Sequence, residues 1–539
     1  MVIPTNLLPR LAPLVRDYFY DFGRVAEFYG GDFRDPAAFE RQSQAVLSRD
    51  IPRRELAGIL ADQNRSYGCG PETLDRIERL ARDRAGAIVT GQQVGLFSGP
   101  LYTVYKALTA IKLADELSRR GPGSHVAVFW LASDDHDLAE IDHITLLDKD
   151  NRLEAIRCPM PLVESRVPVS NLLLPPDIAD CLRGLEDLTP ATEFKSGILA
   201  GLSAAYAPGR GYAQAFAQWM TRLFGSMGLI FIDAADPRLK AMGQEVFRRE
   251  IAEDSPSTRR ALEASERLRQ AGYGAQVPLH EGILNVFYAD GERRSIQHRD
   301  GTFVIHGREP GVGKGDLLAR VRENPAAFSP NVLLRPIYQD ALLPTVAYVG
   351  GQAEIAYFGQ LKGAYQAFGL PMPVIYPRKS LTVLEKSIGR ILEKYGLTIP
   401  DTWKEPDALV AGVAAQKVPD ALENALRRGR ADLEADFGSL KAEATAFDPG
   451  LERSFDLARG KIGRQWEFLE EKVCQAASRR DETARRQVRK AAVHLYPNGR
   501  LQERVFNIVP YLIKYGGDFL ERLDRAVDIG VHDHQVLMI

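Results

Sequence analysis

The sequence predicts an α/β fold with a doubly wound parallel core, because short apolar segments alternate with helix-like segments over residues 85–380. The short segments are apolar without alternation, which is typical of strands whose two faces are both covered by helices. Between them, apolar residues three and four apart, as in 100–120, predict crossover helices. A parallel sheet wound on both faces in this way is Rossmann-like. The candidate strands are AGAIVTG (85–91), HVAVFWLAS (125–133), GLIFIDAAD (228–236), TVAYVGG (345–351) and PVIYPR (373–378).

Two antiparallel insertions interrupt the predicted core, at about 144–210 and 275–325. The first begins with a hairpin-like segment around a polar turn, ITLLDKDNRLEAIRCP. The second contains β-like segments separated by Asp290-Gly291 and Asp300-Gly301, dipeptides that favour tight hairpin turns. We expect both insertions to cap the edge of the sheet at which ligands bind.

Helical segments flank the predicted core. Residues 1–84 predict a helical N-terminal segment packed on the core, and 501–539 a segment that returns to it. Residues 381–500 predict a helical coiled-coil hairpin with a turn at Asp448-Pro449-Gly450. An exposed coiled coil usually pairs with a copy of itself, so we expect a homodimer; a hairpin without a partner is the alternative. The heptad-like apolar positions are Leu422, Leu426, Leu433, Phe437, Leu440 and Phe447, then Leu451, Phe455, Ile462, Trp466, Leu469 and Val473.

Composition excludes several classes of partner. The 539 residues include 69 basic and 71 acidic side chains, so no global field would recruit nucleic acid or an acidic membrane. The four cysteines lack metal-binding spacing and are interpreted as reduced thiols. No segment approaches the roughly 20 apolar residues of a membrane span, and the N-terminus does not resemble a signal peptide. We therefore expect a cytoplasmic protein that acts on small molecules, with no nucleic-acid or membrane partner.

The loop TGQQVGLFSGP (90–100), between the first strand and the first crossover helix, is the first candidate ligand site. In a doubly wound sheet, ligands bind beyond the carboxyl ends of the strands, where a helix N-terminus favours an anion. Glycines there let backbone N–H groups approach a ligand, although the same glycines also fit a tight turn for steric reasons alone. The predicted nucleotide- or anion-binding residues are Gly91, Gln92, Gln93, Gly95 and Gly99.

The segment LASDDHDLAEIDHI (131–144) concentrates ionisable side chains at the end of the second strand. Such groups repel one another unless a cation or hydrogen-bond donors compensate, which favours a functional site. His136, Glu140 and His143 could ligate a divalent metal if the two histidines approached one ion; a substrate amine or hydroxyl held by Asp and His is the other option. The candidates are Asp134, Asp135, His136, Asp137, Glu140 and His143.

Two further clusters lie later in the chain. In 328–380, polar residues are embedded in an apolar run and a Gly-Gly pair precedes a helix, so this loop is expected to face the 90–100 loop across a crevice. Its arginines suit a carboxylate, with a structural ion pair as the alternative. The substrate-binding candidates are Arg335, Gln339, Gly350, Gly351, Glu354, Tyr357 and Arg378. A second ligand site or an interdomain lock, of which the lock is favoured, is predicted at Asn498, Gly499, Gln502, Glu503 and Arg504.

Long stretches of this sequence resemble the signature blocks of the BshC family, the cysteine ligases of bacillithiol biosynthesis. They are TGQQVGLFSGPLYTVYKAL, DDHDLAEIDHI, SPNVLLRPIYQDALLPTVAYVGGQAEIAYFGQLK, PMPVIYPR and YPNGRLQERVFNIVPYL. The resemblance implies a Rossmann-type core with connecting-peptide insertions and a coiled coil that mediates dimerisation. It also implies that the carboxyl group of cysteine is joined to the amine of glucosaminyl-malate. The family core is similar to that of class I aminoacyl-tRNA synthetases, but the loop that carries HxGH in that class has no histidine here.

Amide formation from a free carboxylate requires activation, usually by a nucleotide, so we expect ATP with Mg²⁺ and no tightly bound metal. Residue type and position suggest Lys106 for stabilising negative charge, and Arg335 for a substrate carboxylate. Asp135, His136 and Asp137 are the candidates for holding and deprotonating the sugar amine. Two alternatives remain: a metal-dependent hydrolase that uses the 134–143 cluster, and a non-catalytic pathway scaffold.

Overall fold

A computed structural model describes residues 1–82, 84–121, 123–160, 166–299, 301–308, 310–415, 418–480 and 482–539. The predicted turn at Asp300 therefore lies outside the described residues, as do parts of both predicted insertions. The chain divides into two compact units, one of residues 1–382 with 503–537, and one of 383–502 with 538–539. Among the described residues, no helix combines the length and apolar character needed to cross a membrane.

The chain begins with a short strand and four helices before it enters the sheet. The helices are amphipathic, and α4 buries Thr73, Ile77 and Leu80 along one face. These elements are β1 (Val2–Ile3), α1 (Pro13–Tyr20), α2 (Pro36–Leu47), α3 (Arg53–Ser66) and α4 (Pro71–Arg82).

The next elements start the parallel sheet and carry the first antiparallel hairpin. Every residue of β3 is buried, as its continuous apolar sequence predicts. They are β2 (Gly86–Gln92), α5 (Leu101–Arg120), β3 (His125–Leu131), β4 (His143–Leu147), β5 (Leu153–Arg157), α6 (Ile178–Leu188), α7 (Lys195–Ala205), α8 (Tyr212–Phe224) and β6 (Ile230–Asp233).

Helices and a second antiparallel sheet follow, and the chain then returns to the parallel sheet. The elements are α9 (Pro237–Met242), α10 (Gln244–Ala252), α11 (Pro256–Gln270), β7 (Ile283–Ala289), β8 (Arg293–Arg299), β9 (Thr302–Ile305), α12 (Lys314–Glu323), β10 (Phe328–Pro330), α13 (Leu334–Leu342), β11 (Thr345–Gly350), α14 (Gln352–Phe358), α15 (Lys362–Ala367) and β12 (Val374–Pro377).

The parallel sheet has the order β12-β11-β2-β3-β6, and every neighbouring pair is parallel. The first of these strands in the chain, β2, lies in the middle, and the chain winds outward from it in both directions. This topology confirms the predicted Rossmann-like class, and it places the crevice where strand order reverses, beyond the carboxyl ends of β2 and β11. The insertions are antiparallel: β4 pairs with β5, and the other sheet has the order β10-β7-β8-β9.

One predicted helix is interrupted. The single helix expected between the last two strands is divided into α14 and α15 at residues 359–361. There the N–H groups of Gln360 and Leu361 donate to carbonyls three residues back, a tighter turn than the α-helix. The turn places the buried Gln360 amide where it bonds Val277 and Ser265, which sequence periodicity does not reveal.

The chain after β13 (Leu381–Leu384) is largely helical, as predicted. In the second unit, α18 (Asp420–Phe447) and α19 (Glu452–Arg480) are joined at Asp448-Pro449-Gly450, and the Asp448 carboxylate accepts from Gly450 N. The rings of Phe437 and Phe455 lie 5.6 Å apart across the hairpin. The remaining elements are α16 (Lys386–Tyr395), α17 (Pro406–Ala415), α18 (Asp420–Phe447), α19 (Glu452–Arg480), α20 (Glu482–Leu495), α21 (Val509–Tyr515), α22 (Asp518–Ala526) and β14 (His534–Met538).

Candidate functional site

The Lys106–Glu354 ion pair lies at the centre of the crevice. Lys106 extends from α5, and its Nζ lies 2.6 Å from Glu354 Oε2, 2.7 Å from Gly91 O and 3.0 Å from Gln92 Oε1. Three contacts use all three N–H donors of the ammonium group. Burial lowers the pKa of Lys106, and Glu354 opposes this shift. The pair therefore links the 90–100 loop to the loop after β11, the two loops expected to face each other.

The loop after β11 positions the carboxylate of Glu354. Gly351 N donates to Glu354 Oε2 over 2.7 Å, and Tyr348 Oη donates to Oε1 over 2.5 Å. A Cβ on Gly350 would lie 3.1 Å from the Glu354 Cβ, so the first glycine admits this close approach. Burial favours the protonated acid, but Lys106 and Tyr348 hold the pKa of Glu354 below its usual value. Glu354 is therefore an anion with fixed partners.

Arg335 is a second cation at the crevice and, unlike Lys106, it is hydrogen-bonded to neutral groups. Its Nη1 donates to Gln339 Oε1 over 2.7 Å, its Nη2 donates to Tyr357 Oη over 3.1 Å, and its guanidinium lies 5.2 Å from the Tyr348 ring centroid. All these partners are neutral, and within the part of the chain that the structure describes Arg335 forms no ion pair. A guanidinium held by neutral groups retains its full charge for a ligand anion.

Arg378, by contrast, is compensated within the chain. Its Nη1 and Nη2 lie 3.0 and 2.6 Å from the two carboxylate oxygens of Glu503, and both side chains are buried. Ser380 Oγ and Leu381 N also donate to Glu503. Arg378 thus forms a structural ion pair, the alternative that the sequence left open for the arginines of this segment. Its predicted role in substrate binding stays a prediction.

The other residues of the predicted C-terminal site are divided between the two units. Arg504 is exposed in the first unit, with its guanidinium 5.8 Å from the Tyr102 ring centroid. In the second unit, Asn498 and Gly499 form a turn with φ of 50° and 65°. Gln502, also in that unit, bonds the backbone of Val383 and His494.

Glycines of the 90–100 loop have a steric role. A Cβ on Gly95 would lie 2.8 Å from Gly99 Cα, and Gly99 has a φ of 67°. A Cβ on Gly91 would lie 3.1 Å from Trp130. The loop is also braced, because Asn507 Nδ2 donates to the carbonyls of Phe97 and Gly99. Packing thus accounts for the glycines, and their ligand-binding role stays a prediction.

We expect Gly95→Ala to lower the free energy of unfolding by about 1–3 kcal/mol, because backbone atoms must shift to admit the methyl group. Gly58→Ala is the matched control, since Gly58 lies in α3 with nothing within 4 Å of its Cβ position. Gly58→Ala should raise the free energy of unfolding by about 0.5–1 kcal/mol, because alanine has a higher helix propensity than glycine. Urea unfolding of both variants measures the two effects, and equal effects would contradict the steric role.

Two aspartates of the acidic cluster after β3 are paired with buried cations. Asp134 Oδ2 lies 2.5 Å from Lys240 Nζ, and Asp135 Oδ1 lies 3.2 Å from Arg293 Nη1. Asp135 also accepts from Gln93 Nε2 and from His136 N, each over 2.8 Å. Burial and Arg293 both lower the pKa of His136. Asp135 therefore joins the 90–100 loop, the acidic cluster and the second insertion at one point.

The remaining acidic-cluster residues do not converge on one ion. Asp142 holds His143 Nδ1 at 2.9 Å and also bonds Arg157, at the base of the β4–β5 hairpin. The side chains of Asp137 and Glu140 are largely exposed. Partial desolvation of the Glu140 carboxyl group, together with the charges of Asp137 and Asp135, raises the pKa of Glu140. Across the described ranges, no three His, Cys, Asp or Glu side chains have an arrangement that could hold a metal.

A separate cleft of about 1300 Å³ reaches the amino end of β3 at His125, away from the crevice. Much of its charge is paired within the lining. Arg76 lies 3.0 Å from Asp115, Arg79 lies 2.7 Å from Asp75, and Lys112 lies 3.4 Å from Asp524. We therefore place the candidate site at the crevice, where Arg335 has no ionic partner in the described structure.

Comparison with known proteins identifies the family. Residues 3–379 match the family described as "Bacillithiol biosynthesis BshC, N-terminal Rossmann-like domain". Residues 381–539 match its "C-terminal coiled-coil domain". The chain belongs to the BshC family.

Relatives within the BshC family match along nearly the whole chain. A protein of Salinibacter ruber named "Putative cysteine ligase BshC" is 36% identical over 99% of this chain and 97% of its own length. One of Solibacter usitatus with the same name is 32% identical over 99% of this chain and 98% of its own. A solved structure titled as a "putative arginyl t-RNA synthetase" from Campylobacter jejuni covers 84% of this chain and 97% of its own. Its TM-score of 0.22 at 10% identity is too low to indicate a shared fold.

Sequence reasoning missed the two cations that pair with Asp134 and Asp135 in this BshC chain. Lys240 and Arg293 are 106 and 158 residues from their aspartate partners, so no local pattern connects them. Lys240 could have been found, because it follows β6, whose carboxyl end lies beside that of β3 in the sheet. Arg293 comes from the inserted sheet, whose placement the sequence does not specify.

Proposed function

We propose that this chain is a cysteine ligase that forms the amide bond of bacillithiol from cysteine and glucosaminyl-malate. Membership of the BshC family and the names of its relatives support the reaction class. The site assignment rests on Arg335, whose hydrogen-bond partners among the described residues are neutral and which lies beside the Lys106–Glu354 pair. Both substrates carry carboxylates, which Arg335 can bind with two parallel hydrogen bonds.

The other crevice residues serve chiefly to hold the site in shape. Lys106 fixes the 90–100 loop and Glu354, and its charge offsets negative charge that develops in the crevice. Asp135, with donors on two sides, orients the acidic cluster in which the sugar amine loses its proton.

Activation of the cysteine carboxyl group by ATP with Mg²⁺ is part of the proposal. Gln93 Oε1 is buried without a hydrogen-bond partner among the described residues, so a ligand N–H or O–H would satisfy it. Gln93 is therefore the residue that would contact a nucleotide. The Gln92 amide is already bonded to Lys106 and Tyr102, and its contact with a nucleotide stays a prediction. When bound, ATP would transfer a phosphoryl or adenylyl group to a carboxylate oxygen of cysteine, so that this oxygen could leave with that group when the amine forms the C–N bond.

We expect the purified chain to form bacillithiol from glucosaminyl-malate, cysteine, Mg²⁺ and ATP, as detected by mass spectrometry. A parallel reaction without ATP should give no product, because the carboxylate is then not activated. Product formed equally in both reactions would contradict nucleotide activation. No product in either, from folded protein, would contradict the ligase assignment and favour the scaffold alternative.

We also propose that the α18–α19 hairpin mediates a homodimer. Leu440 and Leu457 are 55% and 63% exposed, which is unusual for apolar residues in heptad-like helices. We expect light scattering to give the wild-type protein a mass of twice its chain mass of 59.8 kDa. Leu457→Glu should reduce this mass to that of a single chain. A wild-type mass of 59.8 kDa at micromolar concentration would contradict the dimer.

A further inference from the structure

The Arg293 side chain is fixed from several directions. Its Nε donates to Ser329 Oγ over 3.1 Å, and its Nη2 donates to Pro330 O over 2.7 Å. The guanidinium carbon lies 4.0 Å from the Phe287 ring centroid, and the residue is 6% exposed. The inserted sheet therefore supplies a rigid cation whose remaining nitrogen, Nη1, is directed at the acidic cluster.

Nη1 of Arg293 meets two acceptors in that cluster. It lies 3.2 Å from Asp135 Oδ1 and 3.4 Å from His136 Nδ1. A guanidinium carries only N–H donors and stays protonated, so the imidazole nitrogen that faces it must accept. A neutral imidazole with an accepting Nδ1 carries its proton on Nε2.

Asp135 does not impose the opposite tautomer. Its Oδ1 lies 3.6 Å from His136 Nδ1, beyond hydrogen-bond distance. The same oxygen already accepts from His136 N and from Arg293 Nη1.

We propose that Arg293 is a positioning residue that holds His136 as a neutral imidazole with Nδ1 as acceptor and Nε2–H as donor. His136 then donates a hydrogen bond toward the substrate and does not take the proton of the sugar amine. This role rests on the proposed ligase function. The ammonium N–H bond instead breaks toward a carboxylate oxygen of the same cluster, so that a neutral amine attacks the activated carboxyl carbon.

The electrostatic surroundings of His136 agree with a neutral ring. Among the described residues, the charged groups that act on it most strongly are Arg293 from β8, Arg166 from the segment before α6, and Asp135 and Asp137 on its own segment. Burial, Arg293 and Arg166 lower the pKa of His136, and the two aspartates only partly offset them. Near neutral pH the imidazole is then uncharged.

The test is nitrogen NMR of the full chain labelled with ¹⁵N-histidine, without substrate. The His136 signals are assigned by their loss in His136→Gln. We expect a non-protonated shift for Nδ1 and a protonated shift for Nε2 at pH 7. In Arg293→Met the midpoint of the His136 titration should rise by about one pH unit, because a neighbouring positive charge is removed. Arg294→Met is the matched control, since Arg294 lies next on the same strand and pairs with Asp290 and Glu292.

A wild-type His136 with its proton on Nδ1 would overturn the proposal, as would a titration unchanged by Arg293→Met. If Arg293→Met does not fold, the His136 tautomer measured in the wild-type chain is sufficient to support or overturn the proposal. Because no substrate is present, the result is independent of ligase activity. An inactive chain with the expected tautomer would instead contradict the proposed function.

Discussion

Lys106→Met lowers the free energy of unfolding by about 3–5 kcal/mol, because it leaves the Glu354 carboxylate buried without its cation. Two further acceptors, Gly91 O and Gln92 Oε1, lose their donor at the same time. Urea unfolding followed by circular dichroism measures the loss. The ligase rate of the folded fraction should also fall about 100-fold or more, because the charge and the loop geometry of the crevice are both lost.

Two matched variants distinguish the effect of breaking the Lys106–Glu354 pair from the general effect of replacing a lysine. Lys112 lies on the same helix as Lys106 and forms a more exposed ion pair with Asp524. Lys112→Met should therefore lower the free energy of unfolding by less than about 1 kcal/mol. Lys106→Met combined with Glu354→Gln removes both charges, so it should recover at least half of the lost stability but none of the activity. Equal costs for Lys106→Met and Lys112→Met would contradict the buried pair.

Arg335→Met is expected to lower kcat/KM by about 10- to 100-fold. It should also lower the free energy of unfolding by about 1–3 kcal/mol, because Gln339 Oε1 and Tyr357 Oη lose their donor. A hydrogen-bonded charge pair with a carboxylate contributes about 1.5–3 kcal/mol. The described residues that hydrogen-bond this guanidinium, Gln339 and Tyr357, are neutral. Steady-state kinetics with glucosaminyl-malate and cysteine varied in turn should show which substrate contacts Arg335. The KM for that substrate should rise.

Arg335→Lys should retain part of the activity, because an ammonium keeps the charge but lacks the planar fork. Arg248→Met, on an exposed arginine that pairs with Glu245, should leave the kinetics unchanged. If Arg335→Met kept kcat/KM within twofold of wild type for both substrates, the carboxylate role would be wrong.

The sequence was most informative where physical patterns are local. Continuous apolar strands, glycine-rich loops at their carboxyl ends and the heptad-like helices around Asp448-Pro449-Gly450 led to the confirmed fold class. The crevice also followed from topology. Lys106 lies in the helix after β2 and Glu354 in the helix after β11, and the carboxyl ends of these neighbouring parallel strands meet at one edge of the sheet.

Contacts between residues far apart in the sequence could not be predicted. Arg378 forms its ion pair with Glu503, which lies 125 residues further along the chain. Arg293 reaches Asp135 from an inserted sheet, and Gln360 breaks a helix to satisfy a buried amide. Each outcome depends on how separate segments pack, which residue spacing does not encode.

The most direct test of the crevice assignment is a crystal structure of the chain with glucosaminyl-malate bound. We expect a malate carboxylate on the Arg335 guanidinium, with the sugar amine toward the Asp135–His136 cluster. Ligand bound instead in the cleft near His125, with the crevice around Arg335 empty, would contradict the account.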